Sequence, residues 1–326
     1  MAEVYFFTKA GKLPGALDLL DIGDFRGAKV PIKLHMGEQG NGYYISPSIV
    51  KLVVEKLRDI GAEPFLFDTT VAYRGPRSTI YGYKMVAYKH GFSKDRMGCE
   101  VVIGEEGVEV IEGGYSFDVA KEIHENTHLV VISHVKGHVL TGFGGAIKNL
   151  GMGGVTRSMK RAIHCMSMPS FCAEKCDLCG LCTEVCPPRA IIVDSDWRYN
   201  NIACVGCGKC IAVCPRGALS YKVMDLQRGL ALATKACIWG KRVIYINALV
   251  DISRSCDCET YPGPIICPDI GYLASNELAA IDRASLELIE EVKPGIFEET
   301  NKVDPAKQVK YAQEIGFIGS YEKVKL

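Results

Sequence analysis

Eight of the fifteen cysteines stand in two runs of the form Cys-x2-Cys-x2-Cys-x3-Cys-Pro. They are Cys176, Cys179, Cys182, Cys186 with Pro187, and Cys204, Cys207, Cys210, Cys214 with Pro215. The offset between the runs is 28 residues, and Gly180 and Ala190 recur at that offset as Gly208 and Ala218. Three thiolates from one such loop can grip three corners of an iron-sulfur cubane, while the fourth, carried off by the following Pro, ligates the other cluster. The pattern predicts two [4Fe-4S] clusters, one on Cys176, Cys179, Cys182 and Cys214, the other on Cys204, Cys207, Cys210 and Cys186. Four-thiolate zinc is the alternative use of Cys-x-x-Cys pairs. Interleaving, and a Pro closing each run, argue against it. Paired cubanes suit one-electron relay. The segment carries five basic and five acidic residues, which fits a built-in relay better than a diffusing acidic carrier.

A second set of reactive residues lies outside these runs. His134, Lys136 and His138 alternate just after an apolar strand, so all three can face one site as catalytic acid/base groups, metal ligands or an anion clamp. Histidines that merely satisfy loop backbone are the plain alternative. In GFGGAIKNLGMGG, Gly142, Gly144 and Gly145 precede a short helix expected near Gly144, a candidate anion site on backbone N–H groups. Close helix-to-sheet packing would need the same glycines. Lys148 on that helix is a candidate substrate-contacting cation. Cys256 and Cys258, in the polar loop SRSCDCETYPG, are a candidate extra metal site, completed by Cys267, His134, His138 or His164. A redox dithiol and ordinary structural cysteines are the other readings. Cys165 and Cys172 lie just upstream of the first run, whereas Cys99 and Cys237 read as core residues. Asp68 and Asp269 end predicted strands, where each could reach a crevice or cap a helix.

The elements that must position these groups alternate. AKVPIKLHM (28–36), PFLFDTT (64–70), VVIG (101–104) and LVVISHV (129–135) read as strands, with helices over 47–61, 77–90 and 117–124. Beyond Lys222 the pattern resumes with a helix through VMDLQRGLALATKACIW, the strand VIYINAL (243–249) and an amphipathic helix over 277–292. The fold class is therefore α/β, a largely parallel sheet with helices on both faces, interrupted by a small ferredoxin-like insert. The divisions are 1–168 and 222–326 for the α/β domain and 169–221 for the insert. Each cysteine copy is too small for its own core, so the two are expected to pack as a pseudo-twofold pair.

Lys+Arg and Asp+Glu number 38 each among 326 residues, which gives no nucleic-acid footprint. The N-terminus lacks a signal-peptide pattern and no apolar run is long enough to span a bilayer. A cytoplasmic protein of anaerobic chemistry is expected, since cysteine clusters in reducing compartments usually hold metal or do redox work.

The stretches HVKGHVLTGFGGAIKNLGMG (134–153) and KLHMGEQGN (33–41), the cysteine repeat, and the later CDC with PDIGYLAS resemble the uncharacterised iron-sulfur-centre proteins grouped under domain of unknown function 362. The resemblance covers nearly the whole chain. It implies an α/β domain with a ferredoxin insert and a redox role, without a substrate. An oxidoreductase with a redox partner protein and a small-molecule substrate is the expectation; a non-catalytic electron-transfer subunit and an iron-sulfur sensor or assembly protein are the alternatives. In general architecture alone, the α/β part is also similar to nickel-using racemases.

Overall fold

The computed structural model describes all 326 residues. Its centre is an eight-stranded sheet. In chain order the strands are β1 (Ala2–Phe7), β2 (Lys29–Leu34), β3 (Glu63–Thr69), β4 (Val101–Gly104), β5 (His128–His134), β6 (Arg242–Leu249), β7 (Gly271–Ser275) and β8 (Tyr321–Lys325). Their spatial order is β8-β1-β7-β6-β5-β2-β3-β4. β4, β3, β2, β5 and β6 pair in parallel, as do β1 and β8, and β7 alone runs against its neighbours. β6 lies between β5 and β7, so elements on either side of the cysteine segment share one sheet.

The apolar strands dictate this layering. β2 and β6 are buried along nearly their whole length, which requires cover on both faces. One face packs a core of 43 residues under the helices Ala146–Gly153, Leu226–Ile238 and Leu278–Val292; the other packs 33 under Leu13–Leu19, Pro47–Asp59 and Ile80–Lys89. The helix Pro47–Asp59 shows the local logic. Ser46 caps it by accepting from the Ser48 N–H, Pro47 opens it, and Ile49, Val50, Val53, Val54 and Leu57 form its buried stripe.

One expected helix is absent. Residues 107–120 form a hairpin, Gly107–Glu112 against Tyr115–Ala120, and only Lys121–His124 is helical. Gly113 and Gly114 both take positive φ, the requirement of a two-residue turn matched to strand twist.

Residues 169–221 contribute no strand to the large sheet. Pro169–Phe171 pairs with Leu219–Tyr221, and Ile191–Val193 with Trp197–Tyr199. These two strand pairs are equivalent under the sequence offset: residue 169 maps to 197 and 193 to 221, so each copy lends one strand to the other. The short helices Leu181–Glu184 and Lys209–Ala212 are likewise equivalent. Backbone conformation repeats too, with positive φ at Leu178, Gly180 and Arg189 and again at Gly206, Gly208 and Gly217.

Candidate functional site

Strand exchange between the copies decides where the thiols fall. Cys176, Cys179 and Cys182 line one small cavity together with Cys214, the fourth cysteine of the other run, beside Trp197 and Leu219. On the opposite side Cys186 has crossed to the second set. Burial, then the nearby Cys207, Cys204 and Cys186, push the Cys210 thiol up to about 12. The fourth cysteines are held alike: the Ala190 N–H donates to Cys186 Sγ at 3.2 Å and the Ala218 N–H to Cys214 Sγ at 3.3 Å. Cys165 is exposed and close to Cys204, and Cys172 donates to Glu174. Cys99 and Cys237 are buried in the two cores.

The second cysteine loop abuts the α/β domain. His164 Nδ1 lies 3.0 Å from the Val205 carbonyl oxygen, and the Ser167 hydroxyl donates to Gly206 O at 2.8 Å. A side chain at Gly206 would meet His164 O and Ser167 Oγ, each at 2.4 Å from an added Cβ. Glycine is therefore required for this approach.

Beyond His164, charged side chains converge at the carboxyl ends of β2, β3 and β5, the usual place of the ligand crevice in a parallel α/β sheet. Buried Lys33, at the end of β2, pairs with Asp68 at 3.0 Å and donates to Asn149 at 2.7 Å. Arg77 donates to Glu38 at 2.9 Å, lies 2.7 Å from His35 Nε2, and also touches Tyr73 and Tyr83. Tyr83 in turn donates to Asp68. Lys160 enters from the helix Arg157–Met166 and donates to Thr69 Oγ1 at 2.5 Å and Thr70 O at 2.6 Å. Lys148, on the helix Ala146–Gly153, has neither an ion-pair nor a hydrogen-bond partner in the protein. Burial, then Lys33, lower its pKa to about 8; burial, opposed by Asp68 and joined by Lys33, Arg77 and Lys148, lowers Lys160 to about 7. His35 is also held well below its ordinary value, by burial and then by Arg77. Five lysine and arginine side chains (Lys33, Arg77, Lys136, Lys148, Lys160) face three carboxylates (Glu38, Asp68, Asp257), and the surplus is cationic.

His134 and Lys136 are tied down. Asp257, between Cys256 and Cys258, receives Lys136 Nζ at 2.7 Å and lies 3.1 Å from His134 Nδ1, all three buried. Lys136 also donates to Tyr43 O, while His134 Nε2 is 2.7 Å from Val250 O. Burial alone would raise Asp257, but its two cationic partners outweigh that and hold it below the usual carboxylate value. These two residues position a loop and do not offer free atoms to a ligand.

The glycine-rich anion cradle needs a correction. Gly142–Gly144 pairs with Lys136–His138, and the first free N–H groups of the following helix are already taken. Ala146 N donates to Asp282 Oδ1 at 2.7 Å and Ile147 N to Asp282 Oδ2 at 2.9 Å. A carboxylate of the chain itself fills the position, and Gly142 and Gly145 serve close packing, since an added Cβ would lie 2.6 Å from Val303 O at the first and 2.4 Å from Asp282 Oδ1 at the second. Asp269 accepts from the Asp251 N–H, and Cys267 is core. His138 alone among the expected partners joins Cys256 and Cys258: one ligand atom from each lies within 4.8 Å of the others.

Sequence reasoning missed Lys33, His35, Glu38, Arg77, Lys160 and Asp257. Charged residues at the end of a wholly apolar strand, as in IKLHMGEQG, were the available signal for the first three.

A family model described as domain of unknown function (DUF362) matches residues 30–287. The chain belongs to that family. The DUF362 match spans β2 to β7, the cysteine segment and the crevice together. No curated protein matches the sequence. Among solved structures, the lactate racemase apoprotein from Thermoanaerobacterium thermosaccharolyticum aligns over 77% of this chain and 51% of its own, at 14% identity and a TM-score of 0.42. A Thermotoga maritima protein aligns over 90% of this chain and 59% of its own, at 11% identity and a TM-score of 0.43. The chain thus spans little more than half of either neighbour. No helix is long and apolar enough to cross a membrane.

Proposed function

We propose that this DUF362 protein binds two [4Fe-4S] clusters in residues 169–221 and passes electrons from them to a small anionic substrate in the cationic crevice, as an oxidoreductase served by a redox partner protein. The observation that carries the cluster reading is the crossing of the fourth cysteines: Cys214 stands with Cys176, Cys179 and Cys182, and Cys186 with the second set. That exchange is what paired cubanes require, and a separate zinc site in each copy would have no use for it. Each cluster would supply one-electron chemistry. Phe171, Trp197 and Leu219 shield the first thiol set from water, and the buried Cys182 and Cys210 anchor the two sets in the small core.

Support for the crevice as the destination comes from its position and charge. Val205, within the second cysteine loop, touches His164, and His164 and Lys148 both lie close enough to His138 to lower its pKa, after burial, which is the larger cause. A surplus of cations around unpartnered Lys148 favours an anion.

Anaerobic purification followed by iron and sulfide analysis tests the reading. About eight of each per chain is expected, and Cys182→Ser or Cys210→Ser should each remove about four. Zinc without sulfide would overturn it. Reoxidation of the dithionite-reduced protein by small carboxylate or phosphate acceptors, slowed in Lys148→Met, would identify the crevice as the exit.

A further inference from the structure

The loop carrying Cys256 and Cys258 is fixed with a care that core packing alone does not demand. Asp257 is clamped by His134 and Lys136 on one side, and its carbonyl accepts from the Glu38 N–H at 2.9 Å. Tyr73 donates to Cys258 O at 3.2 Å and Asn41 to Glu259 O at 2.8 Å. A tight turn, closed by the Glu259 N–H on Cys256 O at 3.1 Å, brings the Cα atoms of Cys256 and Cys258 to 5.3 Å, with their sulfurs beside His138 on the adjoining strand Lys136–His138.

His138 is held by its own turn. Its Nδ1 accepts from the Leu140 N–H at 3.2 Å and lies 3.0 Å from the Thr141 hydroxyl, which donates to Phe143 O at 2.8 Å. These contacts fix the ring beside the two sulfurs, and one ligand atom from each of the three residues lies within 4.8 Å of the others.

We propose that Cys256, Cys258 and His138 form a metal site for a borderline-soft divalent cation of the zinc type, separate from the iron-sulfur segment and opening onto the crevice beside Lys148. Two thiolates and one imidazole leave a tetrahedral ion one open position, where an exogenous ligand binds. The two sulfurs are joined as a disulfide in this structure, so the site is loaded only after reduction. A phosphine reductant does this in a balanced step: the phosphine is oxidised to its oxide, and water supplies the oxygen and the two thiol protons. Binding of the cation then releases those two protons. The site does not depend on the clusters.

The test uses the full chain with its iron intact. Protein treated with the phosphine, given zinc and desalted should retain one zinc per chain, and untreated protein none. Zinc-edge X-ray absorption should show about two sulfurs near 2.3 Å and one nitrogen near 2.0 Å from the imidazole. Cys256→Ser/Cys258→Ser should abolish this zinc. His138→Ala should remove the imidazole signal. Zinc retained by the double variant, or none taken up by the reduced protein, overturns the proposal. Iron and sulfide measured on the same samples report the cluster reading separately.

Discussion

The cysteine segment and the crevice are built in opposite ways. In the segment, everything chemical is local: eight cysteines, their glycines and their closing prolines repeat at an offset of 28 residues. Its apolar core has only five buried residues, two of them cysteines, against 43 and 33 for the two faces of the large sheet. In the crevice, each decisive contact joins groups from different elements. His35 meets Arg77, Asp68 meets Lys33 and Tyr83, and Asp257 meets His134 and Lys136 across more than a hundred residues. With the proposed clusters bound, a region with so little core would draw its order from them, whereas a region with a large core can hold charges in place by itself.

The sharpest way to break this comparison is to remove the iron of the proposed clusters. Chelation under anaerobic conditions should unfold residues 169–221 and leave the large sheet folded. Limited proteolysis should then cut within the segment at a rate at least tenfold above the loaded protein, with cleavage elsewhere unchanged. If the segment stays protected without iron, its five-residue core suffices and the contrast fails.

The crevice should fail differently, through its buried charges. Asp257→Ala strands Lys136 and His134 in a buried site, and removing one partner of such a pair costs about 3–5 kcal/mol. Denaturant unfolding should show the whole sheet destabilised. Asp282→Ala should cost less, about 1–3 kcal/mol, because it leaves the amides of Ala146 and Ile147 and the side chain of Asn247 without their acceptor. Asp282 has its pKa raised to about 6, by burial against the pull of these same donors. Folded and unfolded values therefore differ in the direction that makes protonation favour the folded state. Stability should rise as pH falls through about 6 toward the ordinary carboxylate value, and Asp282→Asn should flatten that slope.

How much could be read in advance follows the same division. Strands such as β2, β3 and β6 announce themselves because apolar, β-branched runs buried on both faces have few other conformations. The cysteine pattern is legible because ligand spacing is a local constraint. The hairpin over 107–120 was hidden, since GVEVIEGGYSFDVA has weak apolar contrast and only its paired glycines mark the turn. The anion cradle was misread for a longer-range reason: a glycine-rich helix start advertises free N–H groups, and nothing nearby reveals that Asp282, over a hundred residues away, fills them. His134 and Lys136 both meet Asp257, and that acidic residue lies in the loop whose cysteines drew the notice.

Lys148 offers the finest test, because it separates a working cation from a structural one. Lys33 and Lys136 are saturated by carboxylates, and Lys160 by hydroxyl and carbonyl oxygens. Lys148 has no such partner, and burial has already brought its pKa down to about 8. A bound anion would supply the missing charge, so affinity should depend on the protonated amine. It should hold below pH 7 and weaken about tenfold by pH 9 as the proton is lost, a change of about 1.4 kcal/mol. Lys148→Arg should move that decline out of the range, since a guanidinium stays charged, while Lys148→Met should bind weakly at every pH. Titration of small carboxylates and phosphate by calorimetry across pH 6 to 9 reads all three. A wild-type affinity flat through pH 8 would return Lys148 to the class of solvated lysines and leave the crevice without its anion-binding group.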